Sequence, residues 1–265
     1  MYSEMRAITE ETKAKILNEQ FIPDHVFLVV VHGEISFFDA SKRYTIKAGE
    51  CCIVRKNRLV RFMRSSGAEE FEPILFCFEQ SFLRAFQKKY NYSRSAGFET
   101  EDALIRIPKP ALLDDFIRSI KPYYKGVMEL DELFEELKYE ELLIILLQNQ
   151  PALTGFLFDF EIPQRIDLEG FMDRNFKFNI SIQHFAYLTG RSLSAFKRDF
   201  NAVFNDTPGH WLVRRRLQEA YFLIETGRQK PSDFYLDLGF ESLSHLSFAF
   251  KKEFGKTPSE VAMPN

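Results

Sequence analysis

The sequence predicts an α+β protein of two domains: an N-terminal antiparallel β barrel with a helical extension, then an all-α domain built on a repeated helix-turn-helix. Three observations carry this prediction. From Phe21 to about Phe78, short apolar runs broken by turn residues recur roughly every ten residues. Beyond Pro163 the strand pattern gives way to short helical segments separated by Gly, Asn-Asp and Pro. Within that part, two stretches of matching helical grammar stand about fifty residues apart.

The strand runs are His25-Val31, Glu34-Phe38, Tyr44-Ile46, Cys51-Val54, Leu59-Met63 and Pro73-Phe78. Turns are expected at His32-Gly33, Asp39-Ala40-Ser41, Ala48-Gly49-Glu50 and Ser65-Ser66-Gly67. Helical signals begin after Gln80. Pro110 suits the first turn of a helix that buries Leu112, Leu113, Phe116 and Ile120, with Pro122 and Gly126 as punctuation. A longer helix runs from Leu130 through Leu147. Its stripe of Leu133, Phe134, Leu137, Tyr139, Leu142, Leu143 and Leu146 either packs on its own domain or forms a dimer face. Leu157-Pro163 reads as the linker, so the domains are placed at 1–157 and 163–265.

Composition narrows the function classes. The chain has 265 residues, 45% of them hydrophobic, with 29 phenylalanines that point to cores of stacked rings. No apolar run approaches the roughly 20 residues that span a bilayer, and the charged N-terminus, from Glu4 to Lys15, has no signal-peptide pattern. A cytoplasmic protein is expected. Cys51, Cys52 and Cys77 are too few and too badly spaced for a disulfide framework. Neighbours on a strand face opposite ways, which favours packing over pairing; a thiol sensor is the alternative. The net charge of −3 divides into +2 from Gln164 onward and −5 before it. That mild basicity permits DNA binding without establishing it, and argues against a non-specific binder.

In the first repeat, about 181–202, Ser181 is placed as the N-cap of a helix with Ile182, Phe185 and Leu188 on its apolar face. Thr189-Gly190-Arg191 turns the chain, and Ser192 caps a second helix buried through Leu193, Phe196, Phe200 and Phe204. In the second repeat, about 231–254, Ser232 caps a short helix with Phe234, Leu236 and Leu238, and Gly239 turns it. Ser242 then caps a helix buried through Leu246, Phe250 and Phe254. Between the repeats, Pro208 to Gly227 reads as one long helix able to hold the motifs roughly one DNA turn apart.

Gly239-Phe240-Glu241-Ser242, Ser244 and Phe250 through Pro258 resemble the signature of the AraC/XylS family of bacterial transcription regulators. Gly190-Arg191-Ser192, Phe196-Lys197-Arg198-Asp199-Phe200, Thr207-Pro208 and Arg216 to Ala220 extend the resemblance, which covers Ile166 to Val261. It implies a seven-helix domain with two recognition helices in successive major grooves. Its implied partners are double-stranded DNA and RNA polymerase. More loosely, the N-terminal strands followed by helices resemble the cupin-like sensor and dimerisation domain of many members. A small-molecule effector or a regulatory protein would act there, on a monomer or a homodimer.

Exposed residues of each second helix should reach base edges. On the first they are Ser194, Lys197, Arg198 and Asn201, which match the family's base-reading positions; Arg198 suits guanine, and Asn201 adenine or phosphate. On the second, Leu243, Ser244, Ser247 and Phe248 occupy the equivalent places. This helix either meets thymine methyls or clamps phosphate through Lys251 and Lys252. Tyr235 stands where the family usually has a small residue. Arg214, Arg215, Arg228 and Lys230 are candidate phosphate contacts, while Arg216 is either one more or a buried structural arginine.

No metal or other cofactor is expected: His25 and His32 lie at opposite ends of one strand run, with no His-x-His and no Gly-rich phosphate loop. A cupin-type enzyme therefore lacks its ligands. A barrel lined by Phe and Val suits an apolar or amphipathic effector, with Arg55, Lys56, Arg58, Arg61 or Arg64 anchoring an anionic group; otherwise these residues solvate a strand edge.

Overall fold

The computed structural model describes residues 20–64, 72–95, 102–123, 132–227 and 229–262. The charged N-terminus, the 65–67 turn, Gly126, Leu130 and Arg228 lie outside the described residues, as do the side chains of Arg64 and Leu133. The chain divides into two compact units, Met1–Glu161 and Ile162–Asn265.

The first unit holds strands β1 (Phe21–Ile22), β2 (His25–His32), β3 (Glu34–Asp39), β4 (Lys42–Lys47), β5 (Cys51–Val54), β6 (Arg58–Leu59), β7 (Arg61–Arg64), β8 (Glu72–Phe78) and β9 (Leu104–Ile107). Antiparallel pairing gives a four-stranded sheet in the order β8-β2-β5-β9, a three-stranded sheet β4-β3-β7 and a short ribbon β1-β6. The near-continuous apolar run of β2 follows from burial on both faces. Val26, Leu28 and Val30 meet Ile35, Phe37 and Ile46 between the two sheets, whereas Phe27 and Val29 face the helices. The same period of two puts Cys52 between the sheets and Cys51 under the helices. Strand β9 has no counterpart in the sequence reading. It pairs with β5, Cys51 opposite Ile107 and Val54 opposite Leu104, and completes the sheet.

Helices α1 (Gln80–Lys89), α2 (Leu113–Ile120), α3 (Glu132–Asn149) and α4 (Thr154–Leu157) cover the outer face of the four-stranded sheet. Much of the phenylalanine content sits here: Phe76 meets Phe116 at 5.6 Å and Tyr139 at 5.0 Å between ring centroids. Helix α2 starts three residues later than Pro110 suggests. The Pro110 carbonyl accepts from the Leu113 amide in the preceding turn, which leaves Leu112 exposed. Tyr139, Leu142, Leu143 and Leu146 of α3 pack on their own unit, but Leu137 is 61% exposed. Lys89 Nζ and Tyr90 Oη both donate to the Glu140 carboxylate, at 2.7 and 2.9 Å, and tie α1 to α3. Leu157 and Phe158, read as the start of the linker, are buried in this core.

The second unit consists of α5 (Leu168–Asn175), α6 (Ile182–Leu188), α7 (Leu193–Phe204), α8 (Pro208–Glu225), α9 (Pro231–Phe234), α10 (Leu243–Phe254) and α11 (Pro258–Ala262). The 18-residue α8 carries two half-cores. Trp211, near its start, packs edge-on against Phe200 at 5.6 Å and at a tilt against Phe204 at 4.7 Å, both on α7. Leu217, Ala220 and Ile224 pack with Phe234, Leu238, Leu246 and Phe250, while Tyr221 stacks on Phe250 at 6.0 Å. Among the described residues, no helix is long and apolar enough to cross a membrane.

Candidate nucleic-acid interface

Helices α7 and α10 are built to the same local plan. Each is 12 residues long and begins at a serine whose hydroxyl accepts from the third following amide: Ser192 from Ala195, and Ser242 from His245. Each ends at a left-handed residue, Asn205 (φ 50°) or Gly255 (φ 71°). Thr-Pro follows in both, and Pro208 or Pro258 opens the next helix.

The turns ahead of these helices differ by one residue. Gly190 stands two positions before Ser192, Gly239 three before Ser242. Both glycines have positive φ, and neither could carry a side chain. A Cβ on Gly190 would lie 2.4 Å from the Gln164 carbonyl carbon; one on Gly239 would lie 2.6 Å from the Lys177 carbonyl oxygen. Beside Gly239 runs Arg216, buried, donating to the carbonyls of Phe176 (2.7 Å), Phe178 (2.7 Å) and Gly239 (2.9 Å). It is thus a structural arginine joining α8 to the chain before α6 and to the second turn.

Two of the apolar positions assigned to these motifs lie on the surface. Leu193, at the first position of α7, is exposed, because the buried stripe begins one turn later at Phe196. Leu236 is exposed in the turn after α9, which ends at Phe234. Nor does Ser232 cap α9. Pro231 takes the first helical position and Lys230 the cap, so Ser232 lies inside the helix and donates to Asp233 at 2.9 Å. Tyr235 is half-buried against the second half-core.

With Phe196 and Phe200 fully buried, Ser194, Lys197, Arg198 and Asn201 fall on the exposed face of α7, at helical spacing i, i+3, i+4, i+7. On α10, Leu243, Ser244, Phe248 and Lys251 are exposed and Ser247 is half-buried; Phe248 is 74% exposed. His245 lies at the surface with its ring edge-on to Phe240. Of the candidate phosphate contacts, Arg214 pairs with Asp206 at 3.2 Å and Arg215 lies over the Phe176 ring at 4.8 Å, whereas Lys230 is exposed. His210 also hydrogen-bonds Asp206, and its bond is the main reason that the Asp206 carboxyl is held below the ordinary carboxylate range.

The sequence pattern does not bring Arg165, Arg191 and Asp199 together as a cluster. Asp199 accepts from Arg191 Nε at 3.2 Å and from Arg198 Nη2 at 3.2 Å, and Arg165 completes the cluster. Arg165 stands 34 residues away along the chain, and no spacing rule reaches that far.

In the first unit, no group of three or more His, Cys, Asp or Glu side chains converges as a metal site among the described residues. Arg55 lies over the Phe156 ring at 5.5 Å and Lys56 Nζ 5.9 Å from the Phe160 ring, so both meet the end of the helical layer. His25 is buried, and its Nδ1 accepts from the Lys56 amide at 3.3 Å.

Comparison with known proteins follows the same division. Residues 25–156 match the family model described as the ExsA N-terminal regulatory domain, and residues 185–263 match that of a helix-turn-helix domain. The chain is 25% identical over 243 residues to the virulence regulon transcriptional activator VirF of Yersinia enterocolitica, covering 89% of this chain and 88% of that one. It is 23% identical over 236 residues to the HTH-type transcriptional regulator ExsA of Pseudomonas aeruginosa, covering 87% and 83%. Among solved structures, apo ToxT from Vibrio cholerae aligns over 93% of this chain and 91% of its own, with 16% identity and a TM-score of 0.42.

Proposed function

Because the chain belongs to the AraC/XylS family of transcription regulators, we propose that it is a cytoplasmic activator whose base reading is concentrated in α7. The observation that carries this reading is the exposed row Ser194, Lys197, Arg198 and Asn201, on a helix whose other face is fixed by Phe196 and Phe200. Arg198 offers two parallel donors to guanine, and Asn201 suits adenine or phosphate. The equivalent face of α10 presents Leu243, Ser244, Ser247 and Phe248. These supply apolar contact with thymine methyls, while Lys251 neutralises phosphate. Lys197 and Lys230 add sequence-independent attraction that weakens with salt.

The unit before Ile162 takes the regulatory input, from a small-molecule effector or a regulatory protein. Support for that role comes from its match to a regulatory-domain model. RNA polymerase is the partner that an activator engages once bound, and a homodimer would present two such readers.

Gel-shift titration of the full-length protein tests the division of labour, on a duplex selected from random sequence. Arg198→Ala should weaken site-specific binding about tenfold or more, whereas Phe248→Ala weakens it less, since a good bidentate base contact is worth about 1–3 kcal/mol. If both variants bind as the unmodified protein does, the reading fails.

A further inference from the structure

The first recognition helix carries a carboxylate that base reading does not itself use. Asp199 Oδ2 accepts from Arg191 Nε and from Arg165 Nη2, and Oδ1 accepts from Arg198 Nη2 at 3.2 Å. Burial works against the charge of Asp199, but the hydrogen bonds from Arg191 and Arg198 and the nearby Arg165 outweigh it, holding the carboxyl below its ordinary range.

The surroundings separate the three arginines. Arg191 is almost wholly covered and also donates to the carbonyls of Ile166 at 3.0 Å and Thr189 at 2.7 Å, so its position is fixed. The Asp199 side chain is only 16% exposed, whereas that of Arg198 is 75% exposed. A carboxylate anchored from beneath therefore holds one nitrogen of an outward-facing guanidinium. Because a guanidinium is a rigid planar fork of five donors, holding one nitrogen while the stem tethers another narrows the orientations in which the rest meet a ligand.

The second repeat provides an internal comparison. Aligned on the capping serines, Arg198 and Asp199 correspond to Phe248 and Ala249, and Arg191 to Glu241. Where the outward arginine is absent, its carboxylate and the arginine beneath are absent too.

We propose that Asp199 is a positioning residue that holds the Arg198 guanidinium in the orientation in which α7 meets a base edge. This inference rests on the reading of Arg198 as a base contact, and the experiment separates the two. Sequence preferences of full-length protein are measured by selection from random duplexes, for the unmodified chain, Arg198→Ala and Asp199→Asn. Arg198→Ala should flatten the preference at one base pair. Asp199→Asn should reduce the preference at that same base pair about tenfold, with affinity for random-sequence duplex equal or higher because a negative charge near DNA is gone. A merely structural role would instead weaken specific and random binding together.

If Asp199→Asn keeps a full preference where Arg198→Ala has lost it, the positioning role is overturned and the base contact stands. If Arg198→Ala itself loses no preference, the base contact fails and this inference with it. Should Asp199→Asn not fold, nitrogen NMR on the unmodified protein decides the matter. Hindered rotation of the Arg198 guanidinium is expected in the absence of DNA; rotation as fast as that of free arginine would overturn the proposal.

Discussion

Replacing Arg216 with methionine removes a buried guanidinium and keeps most of the volume of its stem. Exchanging buried ions for apolar groups often costs little, since the desolvation penalty disappears with the charge. That relief does not apply here, because the partners are the backbone carbonyls of Phe176, Phe178 and Gly239, which no substitution removes. Each carbonyl left without a donor costs about 1–3 kcal/mol. Even allowing for water reaching some of them, Arg216→Met should lose about 3–5 kcal/mol, a large share of the 5–15 kcal/mol that holds a typical domain. For a unit of this size that means a melting temperature at least about 12 °C lower. Arg216→Lys should fall in between, as one ammonium cannot reach three carbonyls on different segments. Thermal unfolding followed by circular dichroism measures the loss. A Met variant melting within about 2 °C of the unmodified protein would refute the argument that these three bonds join the halves of the second unit.

Two further outcomes concern the first unit. Burial, reinforced by the charges of Lys56 and Arg55, holds the His25 imidazole well below its ordinary value of 6.5. Above that value both folded and unfolded His25 are neutral; below it only the unfolded chain takes the proton. Stability should therefore fall by up to about 1.4 kcal/mol per pH unit on acidification from pH 6.5 until the folded-state value is reached. Urea titrations at pH 7.5 and 5.5 should show that slope reduced in His25→Phe, and an equal slope in both proteins would contradict it. Burial also pushes the Cys51 thiol up to about 11 and that of Cys77 up to about 12, and raises Cys52 as well. Little thiolate exists near neutrality, so iodoacetamide at pH 7.5 should leave all three unmodified in the native protein and label all three in urea, as read by mass spectrometry. Rapid native labelling would revive the sensor alternative for these cysteines.

What the sequence made legible were features enforced locally. Strand β5 is Cys51–Val54 as the pattern requires, and β2, β3 and β8 differ from their apolar runs by one residue at an end. The serine caps of α6, α7 and α10, and the glycines at 190 and 239, are where their neighbours' orphan amides and left-handed backbone demand them. Leu112, Leu193 and Leu236 stand at element ends or turns, where an apolar tally cannot fix the helical phase, and each is exposed. Leu137 lies within α3 but off the face that buries Tyr139, Leu142, Leu143 and Leu146, and is exposed for that reason. Strand β9 is four residues long and exists because β5 offers an unpaired edge, which is a tertiary fact. The Pro231 start of α9 was readable in principle: proline lacks an amide to be capped and prefers the first helical position, which moves the cap back to Lys230.

The site divides in the same way. Subtracting the phenylalanine stripe from α7 is enough to expect Ser194, Lys197, Arg198 and Asn201 at the surface, where all four lie. The cluster beneath them is another matter, since Arg165 reaches Asp199 from the segment before α5, which packs over the Gly190 turn. That packing is what the absence of a Cβ at 190 permits. A glycine required by the backbone of the turn thus sets the surroundings of a side chain on α7. In the second repeat the turn is one residue longer, Ala249 replaces the carboxylate, and Phe248 faces outward. The two motifs share a scaffold of caps and rings while differing in the polar layer, so their common fold and their different exposed side chains have separate physical origins in this chain.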